Sequence, residues 1–182
     1  MRRSTCKTDS SPSMKAITSS RTPAEAAVAA VKYAPQGRRG YAPGRWTIGV
    51  EGDPFEFANR ETLVACMVEE LEGVEHLEEI LAVPGVDVIH IGPGDLSQAM
   101  GLIGQPRHPR VLEVMRRVIA TTVAHGKVAG TGGVQVTDYE GVRANIALGA
   151  RFVTVSPAGL LQAATREFLR QVLRPAGADV PR

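Results

Sequence analysis

The chain has 182 residues, of which 43% are hydrophobic and 22% charged, and its formal net charge is +2 at pH 7. These values are ordinary for a soluble globular protein of one domain. A charge so close to zero gives no reason to expect a nucleic acid or an anionic membrane as partner, and no apolar stretch approaches the roughly 20 residues that span a bilayer. Cys6 and Cys66 lack the spacing of metal ligands, so we expect a reducing, cytoplasmic compartment.

The first residues differ in composition from the rest. Residues 1–20 hold six Ser and three Thr, with four basic residues and one acid. Such a segment cannot bury a core, and we predict a disordered tail over residues 1–21. An organellar transit peptide, which is also rich in Arg and Ser, is the less favoured interpretation. The last residues, 176–182, are expected to form a flexible C-terminal tail.

The folded part is expected to cover residues 22–175. Thr22-Pro-Ala-Glu25 is a capping box and predicts a helix from there to about Val31. An irregular loop rich in Gly and Pro follows over residues 34–44, and Asp53-Pro54 predicts the start of another short helix.

Strands and helices alternate from residue 62 onward. Nearly continuous apolar strands joined by helices predict an α/β fold with a parallel sheet that is buried on both faces. The periodicity does not separate part of a (β/α)8 barrel, which has eight strands and about 250 residues, from a small open sheet. The predicted strands are 62–68, 86–91, 128–130 and 151–155, and the predicted helices are 72–81, 109–124, 160–173 and one that runs from a second capping box, Thr137-Asp-Tyr-Glu140, to Gly149.

Two carboxylates follow neighbouring predicted strands. Glu69 comes directly after strand 62–68, and Asp95 comes four residues after strand 86–91. The C-terminal ends of parallel strands are where active sites form, and paired carboxylates there suit a hard divalent cation whose shell is completed by water and substrate oxygens. The alternative makes Glu69 a solvated acid at the strand end and Asp95 the cap of a short helix.

Other polar and aromatic residues favour structural roles. Arg39 lies in a Gly-rich loop that it is expected to hold together by bonding to carbonyl groups, although an Arg there could also bind an anion. Trp46 is expected to pack beneath this loop, His90 to pack within its strand, and His108 to organise or cap the start of a helix. The segment Gly130-Thr-Gly-Gly133 follows a strand and could line the mouth of the site.

Several of these motifs together resemble the HpcH/HpaI aldolases, the metal-dependent class II pyruvate aldolases related to the citrate lyase β-subunit superfamily. The resemblance covers about residues 22–173. The matching segments are Tyr33-Ala-Pro-Gln-Gly-Arg-Arg-Gly40, Ile80-Leu-Ala-Val-Pro-Gly-Val-Asp87, Ile91-Gly-Pro-Gly-Asp-Leu-Ser97 and Met100-Gly-Leu-Ile-Gly-Gln-Pro-Arg-His-Pro109.

This resemblance implies a partial TIM barrel made of strands five to eight of the family's eight. It implies that Glu69 and Asp95 bind Mg²⁺, Mn²⁺ or Co²⁺, since their separation of 26 positions (95 − 69) agrees with the family's ligands. It also implies that the backbone N–H groups of Gly94 and Asp95 bind the substrate. The expected reaction is cleavage or formation of a C–C bond in 4-hydroxy-2-oxo acids through a metal-stabilised pyruvate enolate, in a homo-oligomer.

The resemblance leaves the catalytic residues unassigned. The family's acid/base His and its substrate-contacting Arg and Asp belong to strands that match nothing in this sequence, and Met67 stands where the family often has a substrate-binding Gln. One alternative is therefore a catalytically impaired half-barrel that binds metal or partner subunits without turnover. A CoA-ester lyase of the citrate lyase type is a third reading, which the motif after Ile91 fits less closely.

Overall fold

The computed structural model describes residues 13–132 and 135–173 of the chain. These residues form a five-stranded parallel sheet in the order β1-β2-β3-β4-β5. The strands are β1 (Ser13–Ile17), β2 (Leu63–Val68), β3 (Val88–Ile91), β4 (Val128–Thr131) and β5 (Phe152–Val153). The helices are α1 (Arg21–Val31), α2 (Pro54–Glu61), α3 (Leu71–Glu75), α4 (Leu77–Leu81), α5 (Pro93–Ala99), α6 (Pro109–Ala124), α7 (Tyr139–Ala147) and α8 (Pro157–Val172), with a short 3-10 turn at Arg45–Thr47. The predicted α/β class with a parallel sheet is confirmed.

Strand β1 was not predicted, and it changes the count of strands from four to five. It pairs in parallel with β2, with Ser13 opposite Leu63 and Ile17 opposite Met67. The predicted disordered tail is therefore wrong for residues 13–21, which hold β1 and the start of α1. The strand is specified by pairing with β2 rather than by an apolar composition of its own. Residues 1–12 and the predicted tail at 176–182 lie outside the described residues.

Two helices begin at other residues than the capping boxes predict. The N-cap of α1 is Ser20, and Glu25 forms an ion pair with Arg21 at 2.7 Å instead of closing a capping box with Thr22. The N-cap of α7 is Asp138, whose carboxylate accepts a hydrogen bond from the Gly141 N–H at 3.1 Å. At α7 an acid next to the predicted cap takes over the capping role, because Asp and Thr are both good N-cap residues.

The core lies between one face of the sheet and the helices. Val64, Cys66 and Val68 of β2 and Ile89 and Ile91 of β3 all point into it and are fully buried. Their partners in α1, α4 and α6 include Val28, Ile80 and Val118. Burial also raises the pKa of the Cys66 thiol, which is packed as predicted. Because side chains alternate along a strand, Ala65, Met67, Val88 and His90 face the opposite, inner side of the sheet.

No helix in the described part of the chain is both long and apolar enough to cross a membrane.

A buried lysine joins α1 to α2. Lys32 follows α1 and is 6% exposed, and its Nζ donates to the carbonyl oxygens of Asn59 at 2.6 Å and Thr62 at 2.5 Å. The side chain of Asn59 in turn accepts from the Tyr33 N–H at 2.7 Å and donates to the Tyr33 carbonyl at 3.1 Å. A cation at the C-terminal end of α2 also complements the helix dipole. These contacts fix where the chain enters β2.

Replacement of Lys32 by methionine should reduce the free energy of unfolding by about 2 kcal/mol or more, because two buried carbonyl groups lose a charged donor. Urea unfolding followed by circular dichroism measures this change. The matched control is Lys127→Met, in the turn before β4, which should stay close to the wild type. Equal stability of the two variants would contradict the structural role of Lys32.

Candidate active site at the ends of β2 and β3

The register of β2 against β3 brings Glu69 to the residues that follow β3. Met67 lies opposite His90, and Val68 lies opposite Ile91. Continuing this parallel register by one residue places Glu69 opposite Gly92. Glu69 also continues the alternation of Ala65 and Met67, so its side chain is directed to the inner side of the sheet.

The carboxylate of Glu69 packs directly on the backbone of Gly92. A Cβ atom added to Gly92 would overlap Glu69 Oε2, and it would lie 3.1 Å from both Glu69 Cβ and Met67 Cε. Glu69 is only 7% exposed. It is therefore not the solvated acid of the alternative interpretation, and the absence of a side chain at position 92 is what makes room for its carboxylate.

Asp95 lies in the first turn of the helix that Gly92 opens. Gly92 is the N-cap of α5, Pro93 is the first helical residue, and the exposed Asp95 is the third. Asp95 is thus not the helix cap that the alternative interpretation required. The first helical bond runs from the Leu96 N–H to the Gly92 carbonyl at 2.9 Å, so the N–H groups of Gly94 and Asp95 have no acceptor within the helix.

The two carboxylates therefore belong to the same edge of the sheet. One touches Gly92, and the other is three residues further along the chain. Among the described residues, no group of three or more His, Cys, Asp and Glu side chains is close enough to hold a metal ion. The pair offers two carboxylates, the number that the sequence predicts for the site.

His90 occupies the inner face of the sheet below this edge. It is 1% exposed, its Nε2 lies 3.2 Å from Thr154 Oγ1, and its ring meets Phe152 edge-on at 5.5 Å between centroids. A Cβ at Gly130 would lie 2.9 Å from His90 Nδ1, and a Cβ at Gly132 would overlap the imidazole and Thr154 Oγ1. The imidazole thus lies across β4 and contacts Phe152 of β5. His90 is packed within the sheet, as predicted.

These contacts give Gly130 of β4 and Gly132, just after β4, a role that the sequence analysis missed. Gly130 and Gly132 make space for His90, and Gly133 lies outside the described residues. The signal was the spacing of two between Gly130 and Gly132, which places both on the same side of a strand. What the spacing could not show is which side chain of the neighbouring strand fills the space.

His108 and Arg39 both have structural roles, and that of Arg39 differs from the expected bonding to carbonyl groups. The Arg39 guanidinium lies 4.8 Å from the ring centre of Tyr33 and 6.0 Å from that of Trp46, so it holds its loop by stacking on aromatic rings. His108 is the N-cap of α6, and its Nδ1 accepts a hydrogen bond from the Arg110 N–H at 3.2 Å.

Comparison with known proteins shows which family the sequence matches. The family model described as HpcH/HpaI aldolase/citrate lyase matches residues 16–160. A hydroxypyruvate/pyruvate aldolase of Roseobacter denitrificans is 38% identical over 136 residues, which are 73% of this chain and 52% of that protein. A 5-keto-4-deoxy-D-glucarate aldolase of Shigella dysenteriae serotype 1 is 34% identical over 147 residues, 79% of this chain and 56% of that protein.

The fold has a counterpart among solved structures, which confirms the predicted partial TIM barrel. An HpcH/HpaI aldolase from Desulfitobacterium hafniense DCB-2 superposes with a TM-score of 0.79 at 27% sequence identity, over 92% of this chain and 65% of that one. The chain spans about half the length of the two curated aldolases that it matches.

Replacement of Gly92 by alanine should displace the Glu69 carboxylate and lower the free energy of unfolding by about 1–3 kcal/mol, because the new methyl group overpacks a filled space. Gly94→Ala is the matched control, since a Cβ at Gly94 meets nothing within 4 Å. Chemical denaturation measures both variants. If Gly92→Ala is as stable as Gly94→Ala, the contact between Glu69 and Gly92 is not present in solution.

Proposed function

Because the chain belongs to the HpcH/HpaI aldolase/citrate lyase family, we propose that it carries the cation site of an aldolase acting on 2-oxo acids. Glu69 and Asp95 are the protein ligands in this proposal, and Mg²⁺, Mn²⁺ or Co²⁺ is the cation. The observation that carries it is the placement of a buried Glu69 carboxylate on Gly92, beside the first turn of the helix that contains Asp95.

The donor set suits such a cation. Mg²⁺ keeps several water ligands and is usually bound by one or two carboxylates together with substrate oxygens. Glu69 is held in place by burial, while the exposed Asp95 leaves its side open to solvent and substrate. When bound, the cation supplies a Lewis acid that draws electron density from a carbonyl oxygen.

The chain's own groups orient the substrate. The N–H groups of Gly94 and Asp95 are free of helical acceptors and can donate to a substrate carboxylate, and Gly94 has no side chain to block the approach. Met67 lies against Gly92 and gives the site an apolar wall next to Glu69. His90 is buried and bonded to Thr154, so it supports the floor of the site.

The names of the relatives support a substrate class. In a 5-keto-4-deoxy-glucarate the keto group neighbours one carboxylate, and a hydroxyl group lies two carbons further on, which is a 4-hydroxy-2-oxo acid. Pyruvate and hydroxypyruvate are themselves 2-oxo acids. We therefore expect cleavage or formation of the bond between C3 and C4 of a 4-hydroxy-2-oxo acid, through the enolate of pyruvate.

A chain that binds the cation without turnover is the second candidate. The chain covers 52% and 56% of the lengths of the two curated relatives, and the catalytic residues stay unassigned. Within the described chain no residue of α8 is buried, and its exposed Leu160, Leu161 and Phe168 support association into a homo-oligomer.

Glu69→Gln and Asp95→Asn should each weaken Mn²⁺ binding by about tenfold or more, which corresponds to about 1.4 kcal/mol. Isothermal titration calorimetry of the apo-protein with Mn²⁺ measures the affinity. Glu70→Gln is the matched control, because Glu70 is the exposed neighbour of Glu69, and its affinity should equal that of the wild type. No heat with the wild type, or equal losses in all three variants, would refute the site.

Release of pyruvate from a 4-hydroxy-2-oxo acid separates the two candidate functions. If the chain is an active lyase, a lactate dehydrogenase-coupled assay detects pyruvate with added Mn²⁺ or Mg²⁺, and EDTA abolishes the signal. Mn²⁺ binding in the calorimeter without pyruvate release would instead support the non-catalytic candidate.

A further inference from the structure

A cavity lies between α6 and α7. It is a groove of about 590 Å³, to which Glu69 and Asp95 do not contribute. Its volume falls within the range of roughly 300–1,000 Å³ that is usual for small-molecule sites. The groove therefore has the size of a ligand site and is separate from the proposed cation site.

One end of the groove offers hydrogen-bond donors and positive helix ends. Both α6 and α7 begin there, after His108 and Asp138, and helix N-termini favour negative charge. His108 Nδ1 accepts from the Arg110 N–H, so a neutral His108 carries its proton on Nε2 and can donate from there. The side chain of Arg107 is 69% exposed and reaches Asp138 Oδ1 at 3.2 Å with one nitrogen, which leaves its other N–H groups available.

The end of the groove at Arg107 and His108 carries acidic as well as basic side chains. Asp138 is engaged by Arg107 and by the Gly141 N–H. Of the other two charged lining residues, Arg116 is paired with Glu113, and Glu140 is an acid in the first turn of α7. This end has no net positive charge. The N–H donors of Arg107 and His108 therefore determine which chemical group binds there.

The middle of the groove is apolar except for one amide. Leu112 and Met115 of α6 face Ala144 and Leu148 of α7 across it. Asn145 also lines the groove and is only 9% exposed. Among the described residues, no protein group forms a hydrogen bond with its side-chain amide. Its amide atoms are not among the fully buried atoms that lack a partner, so the amide is open to the groove and can donate to and accept from a molecule there.

We propose that this groove binds an elongated organic acid. Its carboxylate lies at the end with Arg107 and His108, and its hydrocarbon body lies along Leu112 and Met115. A hydroxyl or carbonyl oxygen further along the molecule bonds with Asn145, which is six residues into α7 and so roughly 9 Å from the start of that helix.

The proposal is tested by titrating the ¹⁵N-labelled chain with three probes: octanoate, 8-hydroxyoctanoate and 1-octanol. Octanoate should shift the resonances of Arg107, His108 and the Asn145 side-chain amide. The hydroxy acid should bind about threefold or more tightly than octanoate, and octanol about threefold or more weakly. Asn145→Leu should remove the difference between the two acids, and Arg107→Gln should weaken both acids but not octanol.

Ala144→Trp fills the groove and should abolish binding of all three probes, whereas Gln162→Trp on the exposed surface of α8 should leave it unchanged. If Ala144→Trp does not fold, the comparison between Arg107→Gln and the wild type still tests the proposal. Arg107 is exposed, so its replacement should not disturb folding. Shifts confined to α8, equal affinities for octanol and octanoate, or an unchanged preference in Asn145→Leu would each overturn the proposal. These outcomes do not depend on Glu69, Asp95 or any enzymatic activity.

Discussion

The contact between the Glu69 carboxylate and the backbone of Gly92 is the constraint on which the candidate active site depends. It requires two things at once. Strands β2 and β3 must pair in the register that places Met67 opposite His90, and position 92 must carry no side chain. A shift of one residue would direct Glu69 into the helical core, because neighbouring side chains point to opposite faces of a strand. The acid is thus placed by the sheet rather than by its own loop.

The same principle recurs on the next pair of strands. His90 lies across Gly130 and Gly132, as Glu69 lies on Gly92. On the inner face of this sheet a large or polar side chain of one strand occupies the space that a glycine of the next strand leaves empty. Packing of this kind is specific, because a single added methyl group would overlap the filled space. It makes the floor below the sheet edge rigid, which suits a site that must hold groups at fixed distances.

Helix α5 connects the proposed cation site with the groove. Pro93, the first residue of α5, lines the groove between α6 and α7, and Asp95 is two residues further along the same helix. The edge with Glu69 and Asp95 presents acids, whereas the mouth of the groove presents Arg107 and His108 together with Asp138 and Glu140. The proposed cation site and the groove thus differ in charge and share one short helix.

The sequence by itself determined the alternation of strands and helices and the two acids at the ends of neighbouring strands. It also determined the limits of α6, which the periodicity predicts as 109–124. These are local patterns of apolar residues and motif letters, which the chain carries without reference to distant partners. Only the tertiary structure decided that Ser13–Ile17 is a strand, that Glu69 is buried on Gly92, and that Gly130 and Gly132 make room for His90. Each of these depends on pairing between segments far apart in sequence, and the residues involved have no pattern of their own that reveals their partners. The roles of Glu69 and Asp95 as metal ligands stay a prediction.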